Sequence, residues 1–354
     1  MRIAASRRRP PLIVADDAAL FRLRPGAAEL IRDPRTGAET LFTVNAAGYR
    51  GPELTVGRPR VAVYGDSFVE ARFTPVERTF PVRLGEELSG PGARFEAVNA
   101  GVSGYGPDQA AMRMARELPA LAPKAVVLAV YAGNDGGDVV RNRLLRLDRG
   151  GTLRIAAPCL DDAQAQVLGE PGFALRRAAR WVGRRLRAGP DGGGSRSLEW
   201  ALQACRREHS AHLDDAACVD NLFLDHYDAD LALEPASPSA LHKRALLEAA
   251  LARAKGAAAG VPLLVVAIPD FRDACRGCDH ARAAAAYPGY RPAALTDAVT
   301  AAARAAGVAH LDLFGEFAAR GEELYAAGDG HWNEAGQSLA ARLAAARLRE
   351  MLPP

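Results

Sequence analysis

From residue 58 onward the chain alternates short runs of β-branched and aliphatic residues with longer stretches of helical periodicity. That rhythm restricts the fold more than any other feature. The runs are "RVAVY" at 60–64, "FEAVN" at 95–99, "AVVLAVY" at 125–131, "PLLVVAI" at 262–268 and "AHLDLF" at 309–314. Between and after them lie helical patterns at Phe80–Leu88, Pro107–Leu118, Ala240–Ala257, Ala293–Ala306 and Asn333–Leu348. A strand that is apolar along its length offers no face to water, so it belongs in a parallel sheet covered on both sides by helices. The expected class is α/β, a three-layer α/β/α sandwich around a parallel sheet of about five strands.

Two regions stand outside the rhythm. In residues 1–58, polar and apolar residues alternate around Pro34-Arg35-Thr36-Gly37, which reads as an N-terminal extension carrying a β-hairpin packed on the sheet. Residues 137–238 interrupt the 59–350 core and read as an insertion near the strand ends, a lid or substrate-binding cap. Within it, Leu175, Ala179, Val182 and Leu186 share one helical face while Arg176, Arg177, Arg180, Arg184, Arg185 and Arg187 fill the rest. Such a basic helix can bind an anionic surface. Asp214, Asp215, Asp220, Asp225, Asp228 and Asp230 lie close enough in sequence to balance it as an ordinary solvated face.

A chain of 354 residues, 49% hydrophobic and 25% charged, can bury a full-sized core as one large domain or one domain with an insertion. Its 45 basic and 42 acidic residues leave a formal charge of +3, with no global field that would call for nucleic acid. No apolar run approaches the roughly 18 residues of a membrane span, and "MRIAASRRRPPLIVADD" lacks the apolar centre of a signal peptide. The expectation is a cytoplasmic protein, periplasmic or secreted if the start is mis-assigned. Oligomeric state is left open.

Five cysteines, at 159, 205, 218, 275 and 278, are too few for a disulfide-built scaffold of this length. Cys275 and Cys278 stand at a spacing that allows half a zinc site completed by Cys205 and Cys218, a local disulfide, or surface thiols.

In an open parallel sheet, ligands bind beyond the carboxyl ends of the strands, so the residues that follow each strand carry the chemistry. Three stretches meet that condition: "GDS" at 65–67, "NAGVSGYG" at 99–106 and "GND" at 133–135. A fourth, "GDGHWN" at 328–333, precedes the last helix. A serine after a strand is most often a helix N-cap, but it can also be a nucleophile held above the sheet edge. Together the four stretches supply the parts of acyl transfer from an ester. Ser67 is the candidate nucleophile and His331 the candidate base. His209, His212 and His226 fall in the insertion, His242 on a helix, and His280 and His310 lack this loop context. Asp329, two residues before His331, is placed to fix its tautomer. Gly104 lets a backbone N–H approach a ligand, Asn134 adds a side-chain NH₂, and the N–H of Ser67 completes an oxyanion hole. Asp66, Gly133 and Asp135 belong to the same motifs as supporting residues. This chemistry requires no cofactor or metal.

The blocks "GDSF" at 65–68, "NAGVSG" at 99–104, "GND" at 133–135 and "DGHWNEAG" at 329–336 resemble the four sequence blocks of the SGNH/GDSL hydrolase superfamily. The resemblance covers about residues 20–136 and 240–348. It implies a flavodoxin-like hydrolase fold, with Ser67 as nucleophile, Gly104 and Asn134 in the oxyanion hole and His331 as base. One departure stands out: the superfamily usually places its acid three residues before the histidine, where this chain has Gly328, and Asp329 stands at minus two. Some polysaccharide O-acetylation members share the closer spacing. A Ser-His dyad aided by a backbone carbonyl is the fallback.

No Gly-x-Ser-x-Gly elbow, Walker loop, Gly-x-Gly-x-x-Gly after a strand or His-Glu-x-x-His occurs. The expected activity is a serine esterase acting on a small-molecule or glycan ester, with acetyl on carbohydrate the leading substrate class. The alternatives are an O-acyltransferase, a lipase or a thioesterase using the same residues, or a non-catalytic carbohydrate-binding scaffold.

Overall fold

The computed structural model describes residues 12–90, 94–147, 150–157, 159, 197–213 and 226–352. The described residues open with two antiparallel hairpins, β1 (Ile13–Asp16) with β2 (Leu20–Leu23) and β3 (Ala28–Arg32) with β4 (Glu39–Thr43). The core strands are β5 (Arg60–Gly65), β6 (Glu96–Gly101) and β7 (Ala125–Tyr131). A short antiparallel pair follows, β8 (Leu145–Leu147) with β9 (Leu153–Ile155), and then β10 (Leu263–Ile268) and β11 (Ala309–Asp312). The helices that matter below are α1 (Ser67–Glu70), α2 (Phe80–Leu88), α3 (Pro107–Leu121), α4 (Asp135–Asn142), α5 (Leu198–Leu213), α6 (Ala229–Leu233), α7 (Pro238–Ala258), α8 (Ala294–Ala305) and α9 (Glu334–Met351).

The five core strands form one wholly parallel sheet in the order β11-β10-β7-β5-β6. The α/β/α sandwich read from the sequence is therefore the fold, and each strand expected from an apolar run is present. Along each strand the side chains alternate between two cores, as the two-residue pleat requires. Ala62, Tyr64, Leu128 and Val265 face the layer of α3, α7 and α8, whereas Val61, Val63, Val127 and Val266 face α2 and α9. The chain adds β6 on one side of β5 and then β7 on the other, which is the flavodoxin-like order. The crevice of such a sheet opens where the direction of winding reverses, beyond the ends of β5 and β7.

The hairpin expected around Pro34-Arg35-Thr36-Gly37 is β3–β4, and β1–β2 adds a second that the sequence reading did not separate. Neither packs on a sheet face, contrary to expectation, because helices already cover both faces. Phe21, Leu23, Phe42 and Val44 instead bury themselves against Val102 and Tyr105 of the loop after β6, Met112 of α3, and Val139 and Val140 of α4. The extension pairs with the sheet at an isolated bridge, Arg50 to Asn99 on the edge strand β6, and the N–H of Thr55 donates to Oε1 of Glu96 on the same strand at 2.8 Å. The buried Arg50 guanidinium then donates to the carbonyls of Glu70, Ala71 and Thr74 and so ties the extension to the turn after α1.

The described parts of the 137–238 stretch pack into the helical layer. Ala201 and Leu202 of α5 and Leu231 of α6 join the core around α3 and α7. The basic helix expected at 175–187, and Asp214, Asp215, Asp220 and Asp225, lie outside the described residues. Among the described residues, no helix is long and apolar enough to cross a membrane.

Candidate active site

The N-cap role after β5 falls to the neighbour of the serine. Asp66, not Ser67, is the N-cap of α1: its Oδ1 accepts the N–H of Phe68 at 2.9 Å. Ser67 is then the first helical residue, and its half-buried hydroxyl stands over the carboxyl end of β5, where helix N–H dipoles favour negative charge. Its Oγ lies 2.6 Å from Nε2 of His331 and 3.4 Å from Oδ2 of Asp66.

His331 arrives from the other end of the sequence because its neighbour is an anchor. Trp332 is buried among Phe68, Phe80 and Phe317, with ring centroids 5.2, 5.9 and 5.3 Å away. Asn333 caps α9 by accepting the N–H groups of Ala335 and Gly336. With residue 332 driven inward, His331 faces the crevice. Phe68 lies against its imidazole at 4.8 Å between centroids, and Tyr131 packs on the same phenyl ring at 4.5 Å.

Asp329 reaches the imidazole despite the short spacing. Its Oδ1 accepts Nδ1–H of His331 at 2.5 Å and the backbone N–H of His331 at 3.2 Å, which closes a tight turn. The acceptor at Nδ1 puts the proton there and leaves Nε2 facing the serine hydroxyl as an acceptor. Burial alone would push the Asp329 carboxyl up. Its hydrogen bond and charge contact with His331, and the charge of Arg35, outweigh that and hold it below the usual carboxylate range.

Gly104 and Asn134 occupy the loops that flank Ser67. Gly104 has a left-handed backbone, φ +81°, which a residue with Cβ adopts only with strain. Its loop is fastened to the serine helix: the buried Glu70 of α1 accepts the N–H of Ser103 at 2.7 Å, and the N–H of Val102 donates to the carbonyl of Gly65 at 3.0 Å. Asn134 is the buried N-cap position of α4, directly after the β7 strand that pairs with β5. Gly133 beside it is required by space, since a Cβ there would stand 2.5 Å from the Tyr131 ring and 2.7 Å from Oδ2 of Asp270. Asp135 closes the turn by accepting the N–H of Tyr131 at 2.8 Å. Burial first, and then the negative charges of Asp66 and Asp138, push its carboxyl well above the ordinary range.

Several residues at the site had no motif to announce them. Arg35, at the tip of the β3–β4 hairpin, donates to Asp329. Asp228 holds the asparagine loop: its N–H donates to the carbonyl of Gly133 at 2.7 Å, and its Oδ2 accepts the N–H of Gly137 at 2.9 Å. Asp228 is held in turn by the buried ammonium of Lys243, 2.6 Å away, which also bonds Asp230 at 2.9 Å. Burial alone would lower the Lys243 pKa, but the two carboxylates raise it well above its ordinary value.

Of the readings left open for the cysteines, the structure has the local disulfide, Cys275–Cys278. The zinc site that would have used Cys205 is not formed with that pair. Cys205 is buried, 3.2 Å from Nζ of Lys243. Cys205, His226 and Asp228 do cluster, the one such group among the described residues, but the Lys243 ammonium already supplies a cation against two of its members.

The family model of the SGNH hydrolase-like domain, acetyltransferase AlgX, matches residues 217–354, the part that carries Asp329 and His331. No curated protein matches the chain. Among solved structures, that of TesA is similar at 14% identity, covering 83% of this chain and 99% of that one with a TM-score of 0.42. The lipase/acylhydrolase from Enterococcus faecalis is similar at 12% identity, 84% and 98% coverage and a TM-score of 0.39. The acetyl xylan esterase AlAXEase is similar at 12% identity, 83% and 100% coverage and a TM-score of 0.39. By its four sequence blocks, its flavodoxin-like sheet and the family match over its carboxyl-terminal part, the chain resembles the SGNH/GDSL hydrolase superfamily.

Proposed function

We propose that the protein is a serine esterase that handles small acyl groups, acetyl first among them, through an acyl-enzyme on Ser67. The observation that carries this reading is the continuous chain Ser67 Oγ, His331 Nε2, His331 Nδ1, Asp329 Oδ1, with contacts of 2.6 and 2.5 Å. His331 removes the proton as Oγ attacks the ester carbonyl. Asp329 stabilises the imidazolium that results, and the imidazolium returns the proton to the leaving alkoxide. The N–H groups of Ser67 and Gly104 and the amide of Asn134 are assigned to the oxyanion. Water then attacks the acyl carbon, with His331 as base, and releases the acid and free Ser67.

The second reading keeps the same acyl-enzyme and replaces water by a sugar hydroxyl. The match to the acetyltransferase AlgX domain favours it, and a glycan is then the acceptor. The disulfides at Cys275–Cys278 and at Cys159 favour an oxidising compartment over the cytosol.

Hydrolysis of p-nitrophenyl acetate tests the nucleophile: Ser67→Ala is expected to abolish turnover while keeping the far-ultraviolet spectrum and the melting temperature. Full activity in that variant would remove the assignment. A fluorophosphonate probe is expected to label Ser67 in the wild type, and an unlabelled protein would point to a non-catalytic scaffold. Incubation with labelled acyl donor and a glycan acceptor separates the two acyl fates, since a transferase yields acylated glycan and an esterase yields acid alone.

A further inference from the structure

The turn between β3 and β4, "DPRTGA" at 33–38, is built around an arginine. Asp33 is buried, and its Oδ1 accepts the backbone N–H and Nε–H of Arg35 at 2.9 and 2.8 Å, while its Oδ2 accepts Nη2–H at 2.8 Å. One edge of the guanidinium is therefore held in a fork, the strongest geometry available to an arginine–carboxylate pair. The Phe73 ring lies 5.2 Å from its central carbon. What remains free to reach outward is Nη1, and it donates to Oδ2 of Asp329. The other oxygen of that carboxylate is the one bonded to His331.

We propose that Arg35 is a positioning residue of the active site: the N-terminal hairpin delivers a pre-oriented guanidinium that fixes the carboxylate of Asp329 and, through it, the ring of His331. This rests on the esterase reading of Ser67 and His331. The need for such a clamp follows from the local sequence. Asp329 stands between Gly328 and Gly330, which supply no side chains to wall it in, and Gly328 has open space around the place of a Cβ. Within the turn only Oδ1 is held, by the ring and backbone N–H groups of His331, and support for Oδ2 comes from 294 residues away in the chain. The bridge keeps the acid aimed, so the imidazole spends its time facing Ser67.

The test compares wild type, Arg35→Ala and Arg35→Lys in the full chain. Arg35→Ala is expected to lower kcat for p-nitrophenyl acetate by about tenfold to a hundredfold, the cost of a modest misplacement of a catalytic group, with KM unchanged. Guanidinium chloride at low millimolar concentration is expected to restore part of that rate in Arg35→Ala and to do nothing for the wild type. Arg35→Lys keeps the charge without the fork and is expected to fall between them; it also serves if the alanine variant fails to fold. A readout independent of turnover is the downfield proton resonance of His331 Nδ1–H, expected to shift or broaden in Arg35→Ala and to return with guanidinium. Unchanged kcat and an unchanged resonance in a folded Arg35→Ala protein would overturn the proposal. If the wild type neither hydrolyses the ester nor labels at Ser67, the esterase reading fails, and the resonance still decides whether Arg35 positions the histidine.

Discussion

At the scale of single residues, the site is held by neighbours that point in opposite directions. Trp332 sinks into the core and His331 rises from it, as Phe68 packs below and Ser67 stands above. Trp332→Ala is expected to cost about 3–5 kcal/mol of stability by opening a cavity among Phe68, Phe80 and Phe317, and to loosen the imidazole with it; urea denaturation and kcat measure the two effects. Asn134→Ala tests the oxyanion assignment differently. It removes one donor and is expected to lower kcat by roughly 10²–10³ with KM little changed, measured by steady-state hydrolysis of p-nitrophenyl acetate. A kcat within a few fold of wild type would remove Asn134 from the oxyanion hole. The candidate residues Ser67, Gly104 and Asn134 were readable because their loops follow strands, and Asp329 and His331 because their loop opens the last helix. Arg35, Glu70 and Asp228 were not, since an arginine in a turn and an acid in a helix look the same in sequence whether they face water or a partner far along the chain.

At the scale of elements, α5 and α7 bring three histidines together. The His212 and His242 rings lie 4.7 Å apart and those of His209 and His242 5.0 Å apart. Burial pushes both His212 and His242 down to about 4, the positive neighbours Arg143 and Arg146 adding to the effect at His212. These histidines fold neutral. Below their ordinary pKa of about 6.5 the unfolded chain takes up protons that the folded chain refuses. Stability from this pair is thus complete above pH 6.5 and lost as pH falls toward 4. The double variant His212→Gln/His242→Gln is expected to flatten that fall by on the order of 2 kcal/mol between pH 6.5 and 4, read from urea midpoints. Comparison with the wild type isolates this effect from Asp108, whose carboxyl burial raises to about 7 and whose effect on stability runs the opposite way with pH. Lys243 of α7 tests the link between this layer and the site. Lys243→Met leaves Asp228 and Asp230 buried without their cation and is expected to cost about 3–5 kcal/mol. Because Asp228 bonds Gly133 and Gly137, kcat is expected to fall along with stability.

At the scale of the whole molecule, the Cys275–Cys278 bridge closes so small a loop that its loss costs little. Replacing both cysteines by serine is expected to lower stability by at most ~2 kcal/mol and to leave ester hydrolysis unchanged, as thermal denaturation and turnover will show. The extension is another matter. Phe21 and Phe42 are fully buried in the cluster with α3 and α4, so residues 12–58 are expected to be inseparable from the fold. The sequence by itself determined the parallel sheet, because continuous apolar strands between amphipathic helices have one low-energy arrangement. It also marked the candidate loops, because a parallel sheet puts all its strand ends at one edge. Only the tertiary structure decided that the N-terminal hairpin closes over Asp329 and that Lys243 and Asp228 brace the Asn134 loop. Those contacts join charged groups many residues apart, and neither periodicity nor local propensity carries information about which distant partner a buried charge will find.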